Sequence, residues 1–275
     1  MSRTIVVTGA SSGVGLAAAK IFAAHGDQVV VVGRNQARLD AAVRDVAAAG
    51  NGRAPDGFRA DFAVLDDVRT LAEHLLDTYE KIDVLANNAG GMTGTYRTTA
   101  DGFEATLQSN HLAPFLLTNL LRERLSGGRV VNTASDAHRG SNLNPDDLVG
   151  SADGYRAFRT YGGSKAANIL FTAEAARRWP DVFSVSFHPG VVRTNFGTGA
   201  VTRFFYRWAP FLTTPEKAGA LLVWLADTPA SELVDGGYYV GHNVRAPARA
   251  AADPAIAARL WEASAKAVGL VASGG

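Results

Sequence analysis

Thr8-Gly9-Ala10-Ser11-Ser12-Gly13-Val14-Gly15 is the stretch that decides the fold. It follows a short apolar run, Thr4-Ile5-Val6-Val7, and leads into an Ala/Leu-rich segment at helical spacing over residues 16–24. Glycines between a strand and a helix allow a tight turn, and they let another group approach the backbone without a Cβ in the way. The N–H groups that open the helix, with the positive end of its dipole, favour an anion, so a dinucleotide pyrophosphate would sit there. The spacing is G-x3-G-x-G rather than G-x-G-x-x-G, and a glycine-rich turn alone is a weak signal. Here the strand before, the helix after and the three glycines agree. Gly9, Ser11, Ser12, Gly13, Val14 and Gly15 are therefore candidate cofactor contacts.

Outward from that turn the same unit repeats. The β-branched runs at residues 5–7, 29–32, 84–86, 130–132 and 182–187 are unbroken by polar alternation, as suits strands buried on both faces of a parallel sheet. Helical spacing continues in residues 36–49, 64–79, 103–125 and 164–179. This alternation predicts βαβ units with right-handed crossovers. The fold expected is α/β: a single-domain Rossmann fold, a doubly wound parallel sheet with helices on both faces. No repeat or linker divides the chain, so one domain is expected over residues 1–275.

Two stretches break the rhythm. Residues 136–160 are polar, with glycines and Pro145, and residues 197–214 carry Phe204, Phe205, Tyr206, Trp208 and Phe211. Long loops in a compact domain are uncommon and often functional, so both are candidate substrate loops. Beyond Val244 the chain is Ala-rich, with one helix expected over residues 254–268.

Composition removes several function classes. With 27 Lys+Arg against 26 Asp+Glu and no basic run, no nucleic-acid surface is expected. There is no cysteine, which excludes disulfides, thiolate nucleophiles and Cys-ligated metals, and fits a cytoplasmic protein. The N-terminal apolar run is too short for a signal peptide, and no stretch of roughly 18 or more apolar residues predicts a transmembrane helix. The six histidines, His25, His74, His111, His138, His188 and His242, show no i, i+4 pairing or clustering with carboxylates, so no metal is expected. His138, three residues after Ser135, is the one placed to line a pocket.

The second strand ends at Gly33-Arg34-Asn35. A site that prefers NAD usually has an acid there to accept the ribose 2′-hydroxyl. This chain offers Arg34 instead, with Arg38 one helical turn later, and a guanidinium favours a 2′-phosphate by charge and planar donor geometry. A solvated arginine at a helix start is the alternative. The missing acid and the present base together favour NADP(H), with Arg34, Asn35 and Arg38 as contacts.

Tyr161-Gly162-Gly163-Ser164-Lys165 places Tyr161 and Lys165 on one helical face. An ammonium near a phenol lowers a pKa that starts at about 10, which suits a general acid/base near neutral pH. Alone, that spacing is usually a surface pair. Its neighbours add weight: Ser135 follows a strand at the sheet edge where ligands bind, and Asn87-Asn88-Ala89-Gly90 ends another. Asn110 lies mid-helix, where an amide is a poor helix former and a solvent-facing position is the plain alternative.

TGASSGVG, NNAG, SNHLAPFLLT, VVNTAS, YGGSK and HPGVVRT, running from Thr8 to Thr194, occur in the order found in short-chain dehydrogenases/reductases, and the chain resembles that family. The resemblance implies that Tyr161 is the acid/base, that Lys165 binds the nicotinamide ribose and depresses the tyrosine pKa, and that Ser135 holds the substrate oxygen. It implies a water-linked proton relay supported by Asn110 and a carboxamide contact at Thr194, with Asp61 meeting the adenine. Phe62, Asn88, Ala89, Gly90, Pro189, Gly190 and Val192 complete the implied cofactor contacts. SKAANILFT, NHL before FLLT, and RLWEAS resemble the retinol-dehydrogenase-like branch, as does the spacing of 26 residues between Ser135 and Tyr161, roughly double the commonest in the family.

The function expected is hydride transfer between NADP(H) and a carbonyl or alcohol substrate, a lipophilic ketone, aldehyde or secondary alcohol. The aromatic cluster at residues 204–211 reads equally as a substrate lid and as core packing or a subunit contact, and Arg203 and Arg207 also fit weak membrane-surface contact. A catalytically weak NADP-binding regulatory protein of the same fold is the alternative, but it would usually lose one of Tyr161, Lys165 or Ser135, and all three are present. An epimerase or dehydratase acting on nucleotide sugars would normally show G-x-x-G-x-x-G and a larger C-terminal region. The resemblance also implies a homodimer or homotetramer.

Overall fold

β-branched chemistry places the first strands at the centre of a sheet. The computed structural model describes residues 2–51, 53–141, 143–191 and 212–270. Its strands are β1 (Thr4–Thr8), β2 (Gln28–Gly33), β3 (Asp56–Arg59), β4 (Val84–Asn87), β5 (Arg129–Thr133), β6 (Phe183–His188), β7 (Tyr238–Val240) and β8 (Asn243–Val244). They pair in the order β3-β2-β1-β4-β5-β6-β7-β8, parallel throughout except for β8 against β7. In register, Val6 of β1 lies between Val30 of β2 and Leu85 of β4.

Successive residues of a strand point to opposite faces, and both faces here are covered. Ile5 and Val7 join Val29, Val31, Val84 and Val131 in one apolar cluster. Helices α1 (Gly13–Ala24), α2 (Gln36–Ala49) and α7 (Pro215–Asp227) cover that face, with Phe22, Leu39 and Leu222 buried in it. Val6, Val30, Leu85 and Val130 join the opposite cluster with α3 (Leu65–Thr78), α5 (Ala113–Leu120), α6 (Ala157–Arg178) and α8 (Pro254–Ala267). The doubly wound single-domain architecture follows from these two clusters. Burying the ring of Trp261 in α8 against Phe115, Phe171 and Trp179, at centroid separations of 5.0, 5.7 and 5.0 Å, ties the C-terminal helix to α5 and α6.

Strand order reverses direction between β1 and β4, so the C-terminal ends of these two strands open a crevice of the kind that binds ligands in open α/β sheets. The glycine turn follows β1 and the Asn88-Ala89-Gly90 turn follows β4. Among the described residues no helix is long and apolar enough to cross a membrane.

Two sequence expectations need correction, and one helix had none. Residues 103–125 are not one helix: a short α4 (Ala105–Leu107) passes into a π-helical turn, Gln108–Leu112, before α5, and turns follow Leu120. The stretch 136–160 is not loop throughout. It begins with a 3-10 helix, Asp136–Gly140, and α6 starts at Ala157, four residues before Tyr161. The first turn of α6, residues 157–160, buries no residue fully, so it carries no apolar face to mark it. Helix α7 had no sequence expectation, although Thr214 caps it, accepting from the Lys217 N–H, with Pro215 in its first turn. The aromatic cluster at residues 204–211, with Val192 and Thr194, lies outside the described residues.

Candidate active site

The glycine turn is shaped by contact with the end of β4. Gly9 has φ +65°, and a Cβ there would lie 2.7 Å from Ala89 Cα. A Cβ on Gly15 would lie 2.6 Å from Asn88 Nδ2 and 2.7 Å from the Gly9 carbonyl oxygen. Thr8 joins the two strand ends: its hydroxyl donates to the Ala86 carbonyl at 3.1 Å and accepts the Asn88 and Ala89 N–H groups at 3.0 and 2.9 Å. The Asn88 side chain donates to the Thr8 carbonyl at 3.0 Å.

Helix α1 opens from this turn with no side-chain cap at Ser12 and no acidic residue in its first turn. Its leading N–H groups therefore remain available to a phosphate, where a capping carboxylate or hydroxyl would have taken them. Arg34, Asn35 and Arg38 are exposed at the end of β2, and Asn35 caps α2 by accepting the Arg38 N–H at 3.0 Å. Asp61 forms a local turn, accepting the Ala63 N–H at 3.0 Å, while Phe62 packs into the core. The uncapped helix, the glycine contacts and the exposed guanidinium groups fit a dinucleotide.

A second cluster lies across the crevice. Lys165 is 4% exposed, and its Nζ donates to the Thr133 carbonyl at 3.0 Å and stands 5.5 Å from the Tyr161 ring centroid. Burial pushes its pKa down to about 8. Asn168 donates to the same Thr133 oxygen at 3.1 Å. Asn110 is fully buried in the π-helical turn, not solvent-facing. Its Oδ1 accepts the Gly91 N–H at 2.8 Å, and its Nδ2 donates to the Gly91 carbonyl at 2.9 Å and to Ser164 Oγ at 2.8 Å. The Ser164 hydroxyl in turn donates to the Tyr161 carbonyl at 2.7 Å. Asn110 thus clamps the turn after β4 to the helix that carries Tyr161 and Lys165.

Ser135 leaves the end of β5 in extended conformation and caps the following 3-10 helix, its Oγ accepting the Ala137 N–H at 3.2 Å. This helix packs so closely on α6 that a Cβ on Gly162 would lie 2.5 Å from the Ala137 carbonyl oxygen. Pro189 and Gly190 follow β6, and a Cβ on Gly190 would lie 2.2 Å from Thr213 Oγ1. His138 is buried, with both ring nitrogens on main-chain partners, so it does not line a pocket as its position had implied. His111 is fully buried too. Its Nε2 meets Ser264 of α8 at 2.9 Å, and burial pushes its pKa down to about 4.

A cavity of about 320 Å³ opens beside α6, with Tyr96, Glu104, Leu143, Tyr155, Arg159 and Ser164 among its lining residues. Phe158, one turn before Tyr161 on α6, is 65% exposed, with its ring centroid 6.5 Å from that of Tyr161.

A family model described as short chain dehydrogenase matches residues 3–202. The chain belongs to the short-chain dehydrogenase family. A Streptomyces sp. (strain C5) protein named for daunorubicin C-13 ketoreduction, DnrU, is 54% identical over 267 residues, covering 97% of this chain and 93% of its own. Human retinol dehydrogenase 13 is 35% identical over 284 residues, covering 98% of this chain and 86% of its own. The crystal structure of an uncharacterized protein from Mycobacterium paratuberculosis superposes with a TM-score of 0.80 at 31% identity, covering 97% of this chain and 93% of that one. Within the family the chain is retinol-dehydrogenase-like. As a short-chain dehydrogenase it is an oxidoreductase of alcohol and keto groups with a nicotinamide cofactor.

Sequence reasoning alone missed Thr8, Thr133, Ser164 and Asn168 as parts of the site. Ser164 and Asn168 sit one residue before and three after Lys165, and helical spacing gave a signal for Asn168. Thr133 acts through its carbonyl oxygen, which no side-chain pattern reveals.

Proposed function

We propose that this protein transfers a hydride between NADP(H) and a lipophilic ketone or aldehyde, or the corresponding alcohol. The observation that carries the reading is the buried Lys165 ammonium beside the Tyr161 ring, in a helix clamped by Asn110 to the glycine-lined crevice. A bound nicotinamide supplies or takes the hydride; the protein supplies placement and electrostatics.

In the reducing direction Tyr161 donates the proton to the substrate oxygen, and Ser135 hydrogen-bonds the same oxygen as negative charge develops there. Lys165 places a buried positive charge beside the phenol, which stabilises the charge left after donation. With its pKa lowered only to about 8, it stays mostly charged at neutral pH. Asn110 holds the geometry through which a proton is resupplied. On the cofactor side, Gly9, Ser11, Ser12, Gly13, Val14 and Gly15 would cradle the pyrophosphate, with Asn88, Ala89 and Gly90 as the opposite wall. Asp61, with Phe62 beside it, would meet the adenine, and Pro189, Gly190, Val192 and Thr194 would hold the nicotinamide.

Choice of NADP(H) is supported by two exposed guanidinium groups, Arg34 and Arg38, where an NAD-preferring site carries an acid. An apolar substrate is supported by the exposed Phe158 ring and by the names of the two relatives, a ketoreductase and a retinol dehydrogenase. Residues 136–160, with α6 now beginning inside them, and residues 197–214 would shape the substrate side.

Fluorescence titration with NADPH and NADH, on the parent and on Arg34→Ala, tests the reading, followed by a panel of ketones. Tight NADPH binding that weakens about tenfold or more in the variant is the expected result. Equal binding of both cofactors would remove the role of Arg34, and binding of neither would overturn the enzyme reading.

A further inference from the structure

His138 belongs neither to the glycine turn nor to the Tyr161–Lys165 pair, yet it is 1% exposed and fully engaged. Its Nδ1 lies 2.7 Å from the Ser135 carbonyl oxygen, so that nitrogen carries the proton and donates. Its Nε2 accepts the Ala248 N–H at 3.0 Å. These two main-chain partners fix the tautomer between them. The ring stands edge-on to Tyr238, with centroids 5.1 Å apart, and the Tyr238 hydroxyl donates to Asp136 Oδ1 at 3.0 Å.

Ala248 comes from a distant part of the chain. It immediately precedes the 3-10 helix Arg249–Ala252, which leads into α8. A second tie runs parallel to the first, from Arg139 Nη2 to the Ala246 carbonyl at 3.0 Å. The C-terminal segment is therefore bonded to the turn that presents Ser135. The Ser135 carbonyl also accepts the His138 N–H at 3.1 Å, so the backbone orientation of the serine is set from both the main chain and the ring of one residue.

We propose that His138 is a positioning residue for the reaction, orienting Ser135 toward the substrate oxygen and linking that orientation to the C-terminal segment around Ala248. This rests on the reading in which Ser135 holds the substrate oxygen. A serine whose hydroxyl must meet a developing charge gains from a fixed backbone, because a displacement on the order of 1 Å at such a group costs a hundredfold in rate.

Two variants separate the two halves of the link. In His138→Asn the side-chain amide takes the place of Nδ1, keeping the bond to Ser135 and losing the one to Ala248. In His138→Gln the longer side chain places its carbonyl where Nε2 was, keeping Ala248 and losing Ser135. Turnover and KM for a ketone, NADPH affinity, melting temperature and amide hydrogen exchange at Ala248 are measured on both. The expected result is that His138→Asn retains kcat within about threefold, while His138→Gln loses about tenfold or more at unchanged NADPH affinity. Exchange at Ala248 should accelerate in His138→Asn and stay slow in His138→Gln.

Equal kcat in the two variants, both intact or both reduced in step with melting temperature, overturns the positioning role. Unchanged Ala248 exchange in His138→Asn overturns the tether. A parent protein that binds NADPH but reduces no ketone would overturn the functional reading instead, and the exchange measurement would still decide the tether.

Discussion

Lys165 and Asn168, three residues apart on α6, donate to one and the same carbonyl oxygen, that of Thr133 at the end of β5, at 3.0 and 3.1 Å. The oxygen is doubly satisfied, so removing Lys165 would leave no orphaned acceptor there. The ammonium itself is buried without a carboxylate partner among the described residues, which is why its pKa falls from 10.5 to about 8. Lys165→Met should therefore abolish most turnover yet stabilise the cofactor-free protein at pH 7 by about 1–3 kcal/mol. The sign follows from proton counting. Between pH 8 and 10.5 the unfolded chain binds more protons at this site than the folded one, so parental stability gains a rising contribution there. Chemical denaturation of both proteins at pH 7 and across that window checks the prediction, and a destabilised variant would count against it.

Tyr161→Phe should lower kcat by about a thousandfold or more while leaving NADPH affinity within about twofold. The ring, its distance to Phe158 and the Ser164 bond to the Tyr161 carbonyl all survive the change, because none involves the hydroxyl. Single-turnover kinetics with a ketone and fluorescence titration with NADPH measure the two quantities. Normal turnover would remove Tyr161 from the chemistry.

Gly90 and Gly91 are adjacent glycines that should respond differently to alanine. A Cβ at Gly90 would lie 2.6 Å from Asn110 Oδ1, whereas a Cβ at Gly91 meets nothing within 4 Å. Gly90→Ala should force the Asn110 clamp to move and lower kcat about tenfold or more, and Gly91→Ala should change it less than about twofold. Steady-state kinetics of the two proteins side by side decide this, and equal effects would argue that Asn110 does not act through its clamp.

His111 supplies an acid limit to stability. Its ring is held neutral by burial, with a pKa moved from 6.5 to about 4. Below 6.5 the unfolded chain takes up protons that the folded one refuses, so stability is lost as pH falls toward 4, by about 3 kcal/mol from this group alone. Denaturant midpoints between pH 7 and 4 should fall, and His111→Gln should flatten that part of the profile. An unchanged slope in the variant would assign the acid sensitivity to other groups.

The legible part of the fold was the part with one dominant signal. Val29 to Val32 and Val84 to Ala86, like Ile5 to Val7, are short apolar runs buried on both faces and bounded by polar residues or glycine. Strand β3 reads Asp56-Gly57-Phe58-Arg59, lies at the sheet edge with alternating exposure, and left no apolar run to detect. β7 and β8 are too short to show a period. In the site, Tyr161 and Lys165 were visible because side chains four apart share a helix face. The burial of Asn110 was not, since an amide mid-helix reads as a surface residue until its partners, Gly91 and Ser164, are known. Those partners lie 19 and 54 residues away, beyond any local pattern.

The close approach of Gly162 to the Ala137 carbonyl has a meaning for how such a chain diversifies. It pins the second residue after Ser135 to the first residue after Tyr161, so the proposed reacting pair is set by a contact between two backbones. His138 and Ser141, within and just after the 3-10 helix, help to hold that end, whereas the stretch from residue 143 to residue 156 takes no part in the contact. The interval behaves as an exchangeable cassette whose length and chemistry are free to drift. Selection for a new substrate could rewrite it, and laboratory grafting could replace it, without disturbing the reaction centre. A single methyl group at position 162 would end that independence.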